Sequence, residues 1–454
     1  MRDLFFVGYL GLLVLLAFKR PFLFTLTYAY VDIIAPQRLS YFLLNSIPLS
    51  LILFALAVLG FLISDDKKNV RISPRWGLLL LLLVYCAYTT TIAEEPIAAQ
   101  TKWAWVWKAL VFASFLPLIL NTRLRIEALA LTMVLCASAL VVTGGIKTMA
   151  GGGGYGVLVM LVDINSGLYE GSIISCVAIA IIPLIVWLAQ HGTIFKPDWK
   201  VKLYATALVF ACLLIPVGTQ ARTGLVCIGV LAILSLRHVK YRFLYLAAAG
   251  LIAVSAIPFL PDSYTQRMGT IKKYDADESA STRLAVWKWT WEYVKQNPIG
   301  GGFEVYLINQ VQYKIKNVGQ AADEGPEDKQ VIDQARAFHS SYFEMLGEQG
   351  FPGLFIWLLI HIGGAWRMEV IQRMYRKRNR EEERWVAPLA TGLQNAQIIY
   401  MVGSLFVGIA FQPFFYMLTS MQLGLDTYLA RRRRESLWRP IRKKRRQVEA
   451  EPAA

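Results

Sequence analysis

Few residues in this chain have the type and setting for chemistry. His339 stands in Ala337-Phe338-His339-Ser340-Ser341-Tyr342-Phe343-Glu344, where a polar stretch gives way to a renewed amphipathic helix. An unperturbed imidazole titrates near about 6.5, so at neutral pH its free base can take a proton from a substrate hydroxyl. The competing reading is a solvated helix-start histidine. Arg222 lies in Gly218-Thr219-Gln220-Ala221-Arg222-Thr223-Gly224, a turn between two apolar runs that is too short to be a soluble loop. A charge held near a membrane is costly and usually faces a cavity or a partner; otherwise it reaches to the interface and marks topology. Arg283 opens an amphipathic stretch at Ser281-Thr282-Arg283, and Lys147 follows Gly144-Gly145-Ile146. Cationic side chains beside helix-start amides make a good anion site, so Arg222, Arg283 and Lys147 suit a phosphate-bearing lipid.

Composition says what kind of element must hold these residues. Of 454 residues, 56% are hydrophobic and 17% charged, with a mean hydropathy of +0.45. A soluble domain is about 25% charged, so an ordinary soluble protein is excluded, and the apolar runs leave no interval for a separate soluble enzyme domain. A crossing takes about 20 apolar residues for about 30 Å of hydrocarbon. Candidate spans cover 41–63, 76–92, 103–120, 124–142, 168–190, 203–218, 223–236, 243–260, 351–366, 387–410 and 413–430. Runs 4–18 and 22–34 are each short and are interrupted by Lys19-Arg20-Pro21, which leaves one broken span or a tight hairpin. Taken as one, they bring the total to about twelve. Phe18-Lys19-Arg20-Pro21 also stands where a cleaved signal would need small residues, so the first run is expected to be retained. The expected fold is an all-α polytopic membrane protein with one large, partly helical external loop. It divides into an N-terminal transmembrane bundle (1–260), a periplasmic loop region (261–338), C-terminal transmembrane helices (339–430) and a basic cytoplasmic tail (431–454).

Charge supplies the orientation. The 47 Lys and Arg exceed the 31 Asp and Glu to give a net charge of +16, a balance that in a soluble chain would suggest nucleic acid. Here 29 of the basic residues lie in 64–75, 121–127, 191–202, 237–242, 367–384 and 431–454, while the opposite short connections are nearly bare. Basic loops stay in the cytoplasm. The surplus therefore sets topology, calls for no nucleic-acid partner, and puts His339, Arg222, Arg283 and Lys147 on the external side, the periplasm of a bacterial inner membrane. The basic runs 431–434 and 442–446 mark that topology or meet anionic membrane lipids. Interval 261–338 holds 11 acidic and 10 basic side chains, and loops this long are usually functional. Within it, 281–295 is amphipathic and is expected to lie on the membrane with Trp287 and Trp291 at head-group level. Asn297-Pro298 ends that helix, Gly300 to Gly302 give a turn, and 314–336 shows little apolar periodicity.

Other signals are weaker. His191 and His238 fall in basic connections and read as solvated, while His361 has apolar neighbours and reads as a packed histidine. Gly151 to Gly154 with Gly156 is followed by no Gly-Lys-Ser/Thr, which argues against a nucleotide-binding loop. Asp275 and Asp277 imitate a metal-binding pair for nucleotide sugars, yet they lie in the external loop, where such sugars are not expected. The five cysteines, Cys86, Cys136, Cys176, Cys212 and Cys227, all fall in apolar runs and read as small core residues. Neither a metal nor another cofactor is implied.

At three places the chain resembles the O-antigen ligase superfamily of bacterial membrane enzymes. His339-Ser340, nine residues, then Gly350-Phe351-Pro352-Gly353 is similar to the ligase pattern of His, a small polar residue, nine positions and G-x-x-G. Ala221-Arg222-Thr223-Gly224-Leu225 resembles the arginine at the external mouth of a span in that family, although the usual R-x-x-x-L ends here in Val226. Ser281-Thr282-Arg283 through Trp287, continuing to Gly300-Gly301-Gly302, resembles the opening of the large periplasmic loop. Gly144-Gly145-Ile146-Lys147 and Asn165-Ser166-Gly167-Leu168-Tyr169-Glu170 look like a subgroup called exosortase-associated O-glycosylation ligases, a label that does not fix the acceptor. The resemblance implies a glycosyltransferase that moves a glycan en bloc from undecaprenyl diphosphate to an acceptor hydroxyl, for ligases a sugar of lipid A core. His339 is then the expected general base, and Arg222, Arg283 and Lys147 hold the diphosphate in place of a metal. A protein O-oligosaccharyltransferase or an O-antigen polymerase would use the same donor. A transporter without catalysis is the distant alternative, but the sequence has no inverted repeat and its membrane charges gather at one face.

Overall fold

Where the apolar runs stop is decided by capping side chains, prolines and charge. The computed structural model describes residues 1–64, 73–150, 167–237, 239–256, 278–316, 328–378 and 380–438. The runs form helices α1 (Arg2–Lys19), α2 (Phe22–Ile34), a single turn α3 (Pro36–Leu39), α4 (Leu49–Ser64), α5 (Trp76–Thr91), α6 (Pro96–Ile119), α7 (Arg123–Met149), α8 (Gly171–His191), α9 (Trp199–Gly218), α10 (Arg222–Leu236) and α11 (Arg242–Ala256). After the loop region come α13 (Ser341–Arg378), α14 (Val386–Gly403) and α15 (Pro413–Trp438), with α12 (Glu278–Gln296) lying within that region. Side chains of Thr122, Glu170 and Asp198 accept from the amides of Arg125, Ile173 and Val201, and so start α7, α8 and α9 in the way N-caps do. Gly151 to Gly154, Gly156, His238, Asp275, Asp277 and the basic run 442–446 lie outside the described residues.

Among the described residues, five helices are long and apolar enough to cross a membrane by length and composition, α6 to α9 and α13, and α2, α4, α5 and α10 are shorter apolar helices. Large apolar side chains such as Leu15, Leu203, Phe210 and Ile233 point outward, whereas His361, Gln397, Ser420 and Gln422 are buried. That inversion suits a multi-pass protein whose outer surface meets lipid and whose polar groups find partners inside. All five cysteines are buried and free, as expected of small core residues.

The first two runs form a helical hairpin rather than one span. Asp3 at the start of α1 accepts the amides of Tyr41, Phe42 and Leu43 at 2.8, 2.9 and 3.2 Å, so α1 begins beside the segment that follows α2 and α3. Pro21, between α1 and α2, abuts Gly60 near the other end of α4. The twelve crossings counted by merging the runs rest on a fusion that Arg20 and Pro21 prevent. Two faces can be traced through the bundle. On the basic face Arg123 donates to the His191 carbonyl at 2.7 Å and Arg237 pairs with Glu369 at 2.8 Å. On the charge-poor face Thr148 lies against Gly218 and Gly171 against Thr219, so the ends of α7 and α9 gather around the start of α8.

Helix α13 is broken at Gly350, which has φ +63° and ψ −167°. Pro352 has no amide hydrogen, so the Glu348 carbonyl loses its helical donor, and the break diverts the Phe351 amide that would have served Gly347. Loop 298–302 makes good both losses: Gly301 donates to Gly347 at 3.0 Å, Gly302 donates to Glu348 at 2.9 Å, and Phe351 donates to Pro298 at 3.0 Å. Gly300 and Gly302 have φ of +88° and +78°, and a methyl group on Gly300 or Gly350 would run into the other's backbone.

The loop region departs from expectation in two ways. Residues 310–316 and 328–334 pair as an antiparallel hairpin, β1 (Gln310–Lys316) with β2 (Asp328–Gln334), Gln310 opposite Gln334. Val311, Tyr313 and Ile315 alternate with polar residues as a strand requires, but a reading that begins at Lys314 cuts this pattern in half. Helix α12 does not offer both tryptophans to lipid. Trp287 stacks on Phe343 with ring centroids 4.8 Å apart and donates to the Phe338 carbonyl at 2.9 Å, while Trp291 is exposed. Val286, Thr290 and Val294, spaced four apart, form the buried face.

Replacing Gly350 with Ala forces a side chain into a left-handed position against backbone. It is expected to cost about 1–3 kcal/mol, read as a lower thermal midpoint of the purified protein in detergent; an unchanged midpoint would contradict the close approach.

Candidate active site

His339 follows β2 in a short segment whose backbone is held on both sides. Before it, Asn309 closes the hairpin by accepting the Arg336 amide at 3.0 Å and donating to the Arg336 carbonyl at 2.7 Å, and Trp287 holds the Phe338 carbonyl. After it, the Ser341 amide donates to Ser404, and its hydroxyl donates to Val407 and accepts from Ile409, all within 2.9 Å. Between these anchors His339 takes a φ of +47°, uncommon for a residue with a side chain. Such strain persists only where the surroundings over-determine it, and it clusters at functional sites. Gln220, Glu304 and Ala335 have similar left-handed backbones in the turns nearby in sequence to Arg222, to the glycine turn and to His339.

The imidazole of His339 is exposed, while the Ser340 and Ser341 behind it are buried. Partial withdrawal from water is the largest influence on it, and with the positive charge of Arg283 it holds the imidazole below its ordinary range. Glu170 acts in the opposite sense and Arg336 adds to the depression. The structure thus brings together His339, Arg283, Glu170 and Arg336. Arg336 is already engaged by Asp333 through its Nε at 2.8 Å. Arg283, in the first turns of α12, is half-buried.

Arg222 is the first residue of α10, half-buried, after a turn in which Ala221 donates to the Pro216 carbonyl at 3.1 Å. The wall behind it is made by Ser175 and Thr219, whose hydroxyls lie 2.8 Å apart, and by Gly224 packed on Pro216 and Ser175. Through α8, capped by Glu170, Arg222 joins the face that carries His339. Lys147 sits half-buried in the last turn of α7 on that face, where a cation also complements the helix dipole. Nothing among the described residues ties it to His339.

One charged cluster was missed from sequence. Lys102 on α6 is buried, and its Nζ lies 2.7 Å from Glu344, 2.8 Å from Glu348 and 3.3 Å from Glu304. In the sequence Lys102 stands at the end of one of the nearly bare connections, with Glu94 and Glu95. Glu344 and Glu348, one turn apart just after His339, were the available signal, since two carboxylates on one face of an otherwise apolar helix need a cation.

A multi-pass membrane protein with a histidine and guanidinium groups at one face of the bundle is the class these features define. Residues 206–358 match the family described as O-antigen ligase, and residues 1–193 match a family of unknown function. That match takes in Arg222, Arg283 and His339 and supports the resemblance to the O-antigen ligase superfamily that the motifs led one to expect. No curated protein matches the chain.

Because the His339 imidazole is held below its ordinary value, its free-base form persists to lower pH than that of an unperturbed histidine and is lost as the pH falls through the lowered pKa. Arg283→Gln removes a depressing charge and is expected to move this titration upward, whereas Glu170→Gln is expected to move it downward. Histidine NMR of labelled protein reads both shifts, and shifts of the same sign in the two variants would refute the arrangement.

Proposed function

We propose that the protein is an O-antigen ligase that transfers a glycan en bloc from undecaprenyl diphosphate to a sugar hydroxyl of lipid A core, at the periplasmic face of a bacterial inner membrane. The observation that carries this reading is an exposed histidine in a strained and doubly anchored segment within the stretch that matches the ligase family, with the charge of Arg283 acting on its imidazole. His339 accepts the hydroxyl proton as the acceptor oxygen bonds to the anomeric carbon. The bond from that carbon to the diphosphate breaks, its electron pair leaves with the phosphate oxygen, and the anomeric centre inverts. Arg283 and Arg222, with Lys147 at the rim, hold the diphosphate and stabilise the charge it gains. Arg283 serves twice, since the charge that would bind phosphate also keeps the imidazole unprotonated. The outward-facing apolar helices give the polyprenyl tail and the membrane lipids a surface to lie on.

In cells lacking their own ligase, His339→Ala is expected to abolish O-antigen ladders on lipid A core at equal protein level; normal ladders would remove the histidine from the chemistry. Arg→Lys at 222 or 283 keeps charge but loses the two-pronged hydrogen bond, and a fall of about 10-fold or more in transfer is expected. A labelled lipid-linked glycan identifies the acceptor. Label on lipid A core supports the ligase, whereas label on protein Ser or Thr, or in a lengthening glycan, moves the reading to a protein O-oligosaccharyltransferase or an O-antigen polymerase.

A further inference from the structure

We infer that Lys102 is a positioning residue for this site: from α6 its ammonium fixes the two backbone walls between which His339 is held. The inference rests on the ligase reading for its reaction. Glu344 and Glu348 belong to the first stretch of α13, which begins two residues after His339. Glu344 also accepts the Ala410 amide at 3.2 Å, which ties the same stretch to the turn that receives Ser341. Glu304 belongs to the other wall. Its amide donates to Glu348 at 3.0 Å, its φ is +62°, and the residues after it, Val305 and Tyr306, pack on Phe338 with Val286 and Val311. The Tyr306 and Phe338 rings meet edge to face at 5.8 Å, and Phe338 precedes His339 in the chain. Lys102 therefore acts on the histidine from both directions, through Phe338 and through Ser341.

Stability alone does not account for this arrangement. Four ionisable groups gathered in a protein interior are costly, and apolar packing of the same volume is often as stable or more so. A single anchoring pair would need one carboxylate, whereas three converge here from segments on either side of the histidine. The cation comes from the region that matches only a family of unknown function, and the carboxylates come from the ligase domain. That N-terminal region thereby acquires a part in the site.

The test uses full-length protein in nanodiscs with purified undecaprenyl-diphosphate-linked glycan as donor and lipid A core as acceptor. Lys102→Met is expected to lower kcat about 10- to 100-fold, as displaced catalytic groups do, with donor KM changed by no more than about 2-fold because the diphosphate-binding groups stay in place. The acidic limb of its pH profile is expected to rise as the imidazole becomes better solvated. Lys102→Arg is expected to recover kcat to within about 3-fold of the native value, since it restores the charge. Native kcat in folded Lys102→Met, a loss confined to KM, or no recovery in Lys102→Arg would each overturn the inference. Should Lys102→Met fail to accumulate, Glu304→Gln leaves the ammonium compensated by Glu344 and Glu348, and the same fall in kcat is expected; undiminished kcat there overturns the inference. Hydrogen exchange of the Phe338 to Ser341 amides is read in the same samples, with exchange expected to quicken about 10-fold in the variant. Altered exchange with no transfer by the native protein sinks the ligase reading and leaves the positioning. Native transfer with unaltered exchange and kcat sinks the positioning and leaves the ligase.

Discussion

The structure of the charge-poor face depends on two carbonyl groups that α13 cannot satisfy for itself. Those of Gly347 and Glu348 lose their helical donors where Gly350 turns left-handed and Pro352 brings no amide, and the amides of Gly301 and Gly302 replace them. In a lipid-facing protein an orphaned carbonyl costs several kcal/mol, so the glycine turn and the broken helix require one another. This junction seats the end of α12 on α13. From there the packing of Trp287 on Phe343, and of Phe338 near Gly347, fixes the segment that carries His339.

The G-x-x-G part of the histidine motif accordingly has no chemical task. Gly350 is required by its backbone angle and by the closeness of Gly300, and Gly353 is crowded by Gln349 and Tyr85. Spacing between the histidine and the glycines measures how much helix separates the exposed end from the junction. Within that length fall Glu344 and Glu348, which face inward to Lys102 while His339 faces outward.

Much of the helical architecture was legible because lipid imposes one rule on every span, namely length and apolar character, and basic connections report sidedness. The hairpin of α1 and α2 was ambiguous because Lys19-Arg20-Pro21 fits either a kink or a turn, and only the contact of Asp3 with the amides after Ser40 distinguishes them. Strand β1 went unread since its alternation spans only seven residues. At the site, His339 and Arg283 were legible as isolated charges and proved to be neighbours. Lys102 was not, because its meaning lies in carboxylates more than 200 positions away, and pairing at such a distance leaves no local pattern. Trp287 was misjudged for a similar reason: amphipathic spacing shows that one face is apolar but not whether lipid or protein covers it.

The gap between the two matched regions covers the connection from α8 to α9 and the first turns of α9, with Glu170 before it and His339 after it. The seam of sequence kinship therefore runs through the site instead of around it. Neither region is a portable module. The matched region 206–358, joined to a different N-terminal partner, would keep His339, Arg222 and Arg283 but would lose the Glu170 charge that acts on the imidazole.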